Sequence, residues 1–414
     1  MIKVKVPIPD GDIERAIDTA RNTSLYLIEQ AERNIDDALR MEEKVVKFIE
    51  FIQAFKEKGK GKIHFAARGR SLYLGARTLA SRMVQLNIPT VYPTLEDHIT
   101  YNPTATITGD DCVICFSTSG ETASVVKKAS FAKSMGCDVI AFTANIDSTL
   151  AKIAGKNVIL LPAHSGKDEV LKKYDPKPFT PLGTTSEYTQ LIFAEALARA
   201  LKDVIEGEVD SSNAPQILEK TAKRMLNKAK RNMENSFKQC EEIISLISNL
   251  LLKYYSQQTV HLYARGKSFD MVIGPFKMRL DQIPHAFVTG ILDFEPLNRP
   301  VRKGQICIMV SGSGAVYPLA ERVIETGCML ASVTSYENKL YELSHIRIII
   351  PGRKPETVED WDIRQWKGFR SEFAPEGIEF EISAAAFFDG IFGGLASYIG
   401  ITEDDMRMGH ANIQ

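Results

Sequence analysis

The stretch Cys112 to Thr122, CVICFSTSGET, passes from an apolar run straight into a cluster of hydroxyls and a glycine. Read physically, it is a buried strand that delivers Ser117, Thr118, Ser119 and Thr122 to the start of a helix. The first turn of a helix has unpaired N–H groups and the positive end of its dipole, and short hydroxyls add donors without bulk, so the arrangement suits a phosphate. Ser and Thr are equally the preferred caps of any helix, and an ordinary N-cap turn has the same composition. A second hydroxyl follows another glycine turn, in KIHFAARGRS, where Gly69, Arg70 and Ser71 come just after a short strand over 62–67. Arg68, Arg70, Arg265 and Lys267 place positive charge near such turns, with Arg70 and Lys267 suited to meet or steer an anion.

These residues need a scaffold, and the chain spells one out. Helical spacing of apolar residues runs from Asp12 to about Lys58, followed by the strand at 62–67, a helical segment SLYLGARTLASRMVQL, a short strand IPTVYP and the polar loop EDHITYNPTATITGDD. After the Cys112 strand and its helix come CDVIAFTA and NVILLP, then a proline-rich loop, PKPFTPLGTTSE, and a long helix. Strands alternating with helices at this rhythm indicate an α/β fold in which a parallel sheet is covered on both faces.

The same order then recurs. VHLYARGKS repeats IHFAARGRS, ICIMVSGSGAV repeats VICFSTSGET, GCMLASVT repeats GCDVIAFT, and PEGIEFE (Pro375 to Glu381) repeats PLGTTSE (Pro181 to Glu187). Ser71 and Ser268 are separated by the same interval as Arg82 and Arg279. The chain is therefore expected to be an internal duplication, with domains at 1–206 and 207–414, each beginning with its own helical segment. Ser268, Ser311 and Ser313 take the places of Ser71, Ser117 and Ser119. The copies have diverged, since Gly314, Ala315 and Val316 stand where Gly120, Glu121 and Thr122 do. An insert near 352–374 holds both tryptophans and reads as a lid, a contact loop or a plain surface excursion.

With 414 residues, 44% of them hydrophobic and 25% charged, the chain has the make-up of a globular protein of two or three domains. A formal net charge of -1 gives no basic field to recruit nucleic acid or an anionic membrane. No apolar run approaches the ~18 residues needed to cross a bilayer, and MIKVKVPIPDGD lacks a signal-peptide core, so a cytoplasmic protein is expected. Of six cysteines, all but Cys240 lie in strand-like runs and read as buried thiols; Cys112 and Cys115 would point to opposite faces of one strand. No His/Cys/Asp cluster has metal-ligand spacing, ARGRS is not a dinucleotide fingerprint, and neither metal nor cofactor is expected.

Strands ending in ARGRS and STSGET resemble the sugar isomerase (SIS) family of phosphosugar-binding domains. The resemblance implies two tandem SIS-type domains, each a flavodoxin-like three-layer sandwich, with Ser71, Ser117, Thr118, Ser119 and Thr122, and more weakly Ser268, Ser311 and Ser313, around a sugar phosphate. Gly69-Arg70-Ser71, Arg82-Met83, the Pro181–Glu187 segment and the terminal His410-Ala411-Asn412 further resemble the 6-phospho-3-hexuloisomerase family, which is single-domain and oligomeric, so the fused chain departs from it. The implied function is a phosphosugar isomerase that moves a proton between adjacent carbons through an enediol, interconverting 3-hexulose 6-phosphate and fructose 6-phosphate without a cofactor. Such chemistry needs one base and something to handle hydroxyl protons. Glu187 is the candidate base, although a carboxylate at a helix N-terminus is also ordinary; Glu381 holds the same place in the second copy. The family's HAN histidine implies an acid/base role for His410, within the chain or across a dimer, and the loop residue His98 is a further candidate. His64 and His261 read as packing residues. Because single-domain relatives assemble through their long helices, a homodimer is expected. Two other readings remain open: a non-catalytic phosphosugar-binding regulator, favoured by the diverged second turn, and an isomerase of another hexose or amino sugar phosphate.

Overall fold

The first long apolar-periodic stretch folds as two helices, α1 (Ile13–Ala38) and α2 (Glu42–Lys58), joined by one 3-10 turn at Leu39–Met41. The computed structural model describes residues 13–93, 107–163, 169–283, 289–291, 299–353 and 377–409. In the first half there follow β1 (Ile63–Ala67), a π-helical turn (Leu72–Arg77) running into α3 (Thr78–Gln85), β2 (Cys112–Phe116), α4 (Ala123–Ser134), β3 (Asp138–Thr143), α5 (Thr149–Ala154), β4 (Val158–Leu160), the short α6 (Glu169–Lys172) and the long α7 (Thr184–Ile205). The second half repeats this with α8 (Ala214–Ser236), α9 (Cys240–Ser256), β5 (Val260–Ala264), a second π-helical turn (Phe269–Ile273), α10 (Gly274–Asp281), β6 (Thr289–Ile291), β7 (Ile306–Val310), α11 (Tyr317–Glu325), β8 (Met329–Thr334), α12 (Lys339–Leu343), β9 (Ile346–Ile349) and α13 (Glu379–Ile399).

Every strand pair is parallel. The second sheet has the order β6-β5-β7-β8-β9 and the first β1-β2-β3-β4. The expected strand IPTVYP reduces to one bridge, Ile63 to Thr90, on the outer side of β1. That bridge occupies the position of β6, so both halves follow the doubly wound order 2-1-3-4-5. In such a sheet the chain leaves in opposite directions from the first strand and its inner neighbour, and the crevice beyond their carboxyl ends receives ligands. Arg68–Ser71 and Ser117–Thr122 flank that crevice in one half, and Gly266–Ser268 and Ser311–Gly314 in the other.

Each sheet is covered twice. An outer apolar layer of α4 and α5 packs on one face of the first sheet, and α11 and α12 on one face of the second. The inner faces share one continuous core that draws from both halves. Cys112 lies in the shared core and Cys115 in the outer layer, as alternation along a strand requires. All six thiols are free and only Cys240 is exposed.

The centre of the shared core is a crossing of α1, α7, α8 and α13, in which α1 packs along α13 and α8 along α7. The helical segment that opens each half thus lies against the long helix that closes the other. α1 presents Ala16, Ala20 and Ser24 to Gly390 and Gly394 of α13, and a Cβ at Gly390 would sit 2.1 Å from the Ser24 Oγ and 2.4 Å from the Ala20 carbonyl oxygen. The Ser24 Oγ also donates to the Ala386 carbonyl at 2.9 Å, and the Tyr188 hydroxyl to the Ile382 carbonyl at 3.2 Å. Away from this centre, Arg77 pairs with Asp270 at 2.6 Å, and Tyr92 donates to the same carboxylate at 2.7 Å. α13 is long and apolar enough to cross a membrane, contrary to the expectation from the sequence; 83% of its most apolar window is buried within the protein, as befits a core helix.

Because Gly390 meets backbone as well as side-chain atoms, the crossing cannot yield by a rotamer change. Gly390→Ala is expected to lower unfolding free energy by about 2 kcal/mol despite its gain in helix propensity. Urea denaturation measures this, and an unchanged midpoint would show that the two helices do not depend on so close an approach.

Candidate functional site

In the first half, Phe116 ends β2 and the chain turns through Ser117, Thr118, Ser119 and Gly120 before Thr122 caps α4. The turn is held internally: the Ser117 Oγ lies 2.9 Å from the Thr122 Oγ1 and accepts from the Gly120 N–H at 3.1 Å, and the Ser119 Oγ accepts from the Glu121 N–H at 3.2 Å. Gly120 has φ of 69°, and a Cβ there would fall 2.1 Å from the Ser148 Oγ that caps α5, so only glycine fits. The Thr118 Oγ1 points elsewhere. It pairs with the Ser186 Oγ at 2.9 Å and receives the Gln190 amide at 3.2 Å, tying the turn to α7. Ser71, at the start of the π-helical turn, is buried across the crevice. A π turn at that position widens the helix start beside a candidate site.

Glu187 lies in the first turn of α7, where the helix dipole favours a carboxylate. Its Oε2 receives the Arg70 Nε at 2.7 Å and the Arg279 Nη2 at 2.9 Å. Among the described residues its Oε1 receives no donor. The Arg70 guanidinium continues to Asp389 at 2.7 Å and to the Pro275 carbonyl at 3.2 Å, and Arg279 continues to the Thr184 Oγ1 at 2.7 Å. Arg279, Asp389 and Pro275 all come from the second half. Arg70 is 3% exposed. Burial works against its charge, but Asp389 and then Glu187 more than offset it and raise its pKa above the ordinary arginine value. Arg279 goes the other way, with burial foremost pulling it down to about 10 against the attraction of Glu187.

The second half holds the same four positions with different residues. Lys267 stands for Arg70, Glu381 for Glu187, Arg82 for Arg279 and Glu195 for Asp389. Here the Arg82 Nε takes both oxygens of Glu195 at 3.1 and 2.9 Å, with neither side chain exposed. The Glu381 Oε1 receives the Ser268 Oγ at 3.1 Å and the Arg353 Nη2 at 2.5 Å. Arg353 lies across the second turn, where a Cβ on Gly312 would be 2.7 Å from its Cδ. Burial first, and Arg82 second, push the Lys267 amine down to about 7. Val316 replaces Thr122 as the cap of α11, and Ala315 removes the carboxylate with which Glu121 caps Thr149 at 2.7 Å.

Among the residues singled out from the sequence, the fold gathers Ser71, Ser117, Ser119, Thr122, Arg70 and Glu187 around one crevice, and Ser268, Ser311, Ser313, Lys267 and Glu381 around the other. Thr118 serves to anchor its turn. Arg265 turns away to donate to the Tyr263 hydroxyl at 2.6 Å. His64 sits buried 3.6 Å from Asp111, and His261 lies 2.9 Å from the Gln305 side chain. His98, His410 and nearly all of the 352–374 insert lie outside the described residues. Sequence reasoning missed Asp389 and Glu195 and used Arg82 and Arg279 only as markers of the repeat. The available signal was a lone acid inside each apolar run, AAAFFDGIF and LIFAEALA, since a buried carboxylate requires a cation.

The SIS domain model matches residues 58–167. An uncharacterized protein of Aeropyrum pernix is 31% identical over 179 residues, which are 42% of this chain and 82% of that protein. The 3-hexulose-6-phosphate isomerase of Mycobacterium gastri is 30% identical over 154 residues, 36% of this chain and 69% of the relative. The crystal structure of tagatose-6-phosphate ketose/aldose isomerase from Escherichia coli superposes with a TM-score of 0.60 at 13% identity, covering 93% of this chain and 95% of that one.

The depressed Lys267 amine has a consequence for stability. The unfolded chain holds the lysine proton up to an ordinary pKa of 10.5, whereas the folded chain releases it near 7. Between those values the unfolded state binds more protons, so this group makes stability rise with pH by ~1.4 kcal/mol per unit. The unfolding free energy of the native chain should therefore rise by about 2 kcal/mol more from pH 7 to pH 9 than that of Lys267→Met. Parallel denaturation curves at the two pH values test this, and equal slopes would place the amine in contact with solvent.

Proposed function

The chain belongs to the SIS family of phosphosugar isomerases, and from that premise we propose that its first pocket isomerises 3-hexulose 6-phosphate to fructose 6-phosphate. The single observation that carries the reading is the state of Glu187. One oxygen is anchored by two guanidinium groups while the other carries no donor among the described residues, beside a turn lined with hydroxyls.

In this reading the phosphate rests on Ser71, Ser117, Ser119 and Thr122 with the N–H groups that open α4. Arg70 steers the anion and, with Arg279, fixes the plane of the Glu187 carboxylate. The Glu187 Oε1 removes the proton from C2 of the 3-ketose, the electron pair forms the C2–C3 double bond of an enediol, and the carboxylic acid returns the proton at C3 as the C2 carbonyl forms. The two arginines that hold Glu187 also stabilise the negative charge that develops on the substrate oxygens. We assign to His410 the transfer of hydroxyl protons, within the chain or across a dimer, and keep His98 as the alternative donor. Glu381 is set aside as a base here because Ser268 and Arg353 hold it beneath a turn that lacks the Thr122 hydroxyl. Two chains would assemble the four domains of a tetramer of single-domain subunits, which a solution mass measurement tests.

A phosphosugar-binding regulator without turnover is the second reading, favoured by the pairing of Glu187 with two cations, which a pure binder would tolerate at no cost. Deuterium incorporation at C3 of fructose 6-phosphate, or at C2 of the 3-ketose, separates the two readings. Glu187→Gln is expected to reduce turnover by roughly a thousandfold or more while sugar phosphate affinity stays within about threefold. Retention of full exchange in that variant would remove Glu187 as the base, and absence of exchange in the native chain for every hexose phosphate tried would leave the regulator.

A further inference from the structure

Asp389 lies in the middle of α13, in the second half of the chain, yet it divides the guanidinium that anchors Glu187 in the first. An arginine Nε–H and one Nη2–H lie side by side along a single edge of the group, and that edge matches the two oxygens of a carboxylate. In Arg70 the edge is split. Nε donates to the Glu187 Oε2 at 2.7 Å and Nη2 to the Asp389 Oδ2 at 2.7 Å, while Nη1 reaches the Pro275 carbonyl at 3.2 Å. Elsewhere in this molecule a guanidinium closes on both oxygens of an acid. The Arg82 Nε lies 3.1 and 2.9 Å from the two oxygens of Glu195, and the Arg199 Nε lies 2.9 and 3.0 Å from those of Asp203. Glu187 escapes that capture: both of its arginines meet Oε2, and its Oε1 receives no donor among the described residues.

We propose that Asp389 is a positioning residue for the first crevice: by holding the Arg70 Nη2 it keeps that guanidinium from closing on Glu187, and so leaves the Glu187 Oε1 able to take a proton. The Arg70 and Asp389 side chains are only 2% and 5% exposed, so water does not compete for Nη2. A buried N–H that loses its acceptor is costly and turns to the nearest one, and the Glu187 carboxylate already stands on the same edge. The second half supplies the complementary case. Lys267 occupies the position of Arg70 there, and an ammonium has no edge with which to fork. Ser268 and Arg353 hold the Glu381 Oε1, and the Glu381 Oε2 has no hydrogen-bond partner among the described residues. One oxygen of the crevice acid thus stays open in two ways, by a second acid that divides the arginine or by a lysine in its place. The inference rests on the isomerase reading for what the open oxygen does, and on geometry alone for why it is open.

Asp389→Leu keeps the branching of aspartate and removes the acceptor. In the full-length chain carrying it, kcat for deuterium exchange at C3 of fructose 6-phosphate is expected to fall by roughly a hundredfold or more while KM stays within about threefold. Adding Arg70→Lys to that variant should recover about tenfold or more of the lost kcat, because a lysine cannot fork onto Glu187, whereas a purely structural role for Asp389 predicts a further loss. Where Asp389→Leu does not fold, Asp389→Asn carries the same test with a smaller fall of about tenfold, since an amide oxygen holds Nη2 more weakly than a carboxylate, and Arg70→Lys again recovers it. A kcat within about threefold of native in Asp389→Leu, or no recovery on adding Arg70→Lys, would overturn the proposal. Absence of exchange in the native chain would instead remove the isomerase reading, and the crystal structure of whichever Asp389 variant folds then decides: Arg70 bonded to both oxygens of Glu187 sustains the proposal, and Arg70 left on Oε2 alone overturns it.

Discussion

One guanidinium holds the molecule's two halves in register. Arg70 leaves β1 of the first half, takes Glu187 from the helix that closes that half, and takes Asp389 and the Pro275 carbonyl from the other half. A charge buried to this depth is tolerable only when its donors are filled, and removing one partner of such a pair costs ~3–5 kcal/mol because the other is stranded. The start of α7 and the middle of α13 are therefore constrained to meet at the crevice, and the sheets that position Arg70 and Arg279 are constrained with them. The close approach of α1 to α13 through Ala16, Ala20, Gly390 and Gly394 makes that meeting possible, since bulkier residues would hold the helices apart.

The geometry of the long helices turns one interaction into a reciprocal pair. α7 carries Glu187 in its first turn and Glu195 about two turns later; α13 carries Glu381 and Asp389 in the same relation. The first acid of each helix addresses its own crevice and the second addresses the cations of the other half. Neither crevice is complete within its own half, because Glu187 is held by Arg279 across the junction and Lys267 is surrounded by Arg82 and Glu195.

The sequence made the sheet and the turns legible because both depend on local order: apolar runs ending in Gly and Ser, repeated once in the same sequence, can fold in few ways. It also placed Glu187 and Glu381 correctly at helix starts, through the Pro/Gly loops before them. The charge network was not legible, because it depends on which side chains from two distant helices face each other across a pseudo-dyad. Arg82 and Arg279 were visible as equivalent residues, yet one pairs with Glu195 beside it and the other with Glu187. That divergence turns on a methylene at 195 and a guanidinium at 70, which no periodicity encodes. IPTVYP read as a strand from its β-branched residues, and the structure keeps only a bridge at Thr90, since an edge next to β1 needs few pairings once the core is shared.

Fusion of the two copies explains why such asymmetry exists at all. In a homodimer of single domains, a lysine in place of Arg70 would enter both pockets together, and a longer acid at position 389 would do the same. Within one chain the two substitutions fall on one crevice only. Glu195 takes the Arg82 Nε with both oxygens, so Arg82 keeps a carboxylate of its own where Lys267 has none bonded. The first crevice keeps its doubly anchored carboxylate and full hydroxyl turn, while the second has an amine and an Arg353 bonded to Glu381. The physical result is two crevices of different character joined by helices that enter both: among the described residues, Arg70 and Arg279 are bonded to carboxylates in the first, and the Lys267 amine has no hydrogen-bond partner in the second.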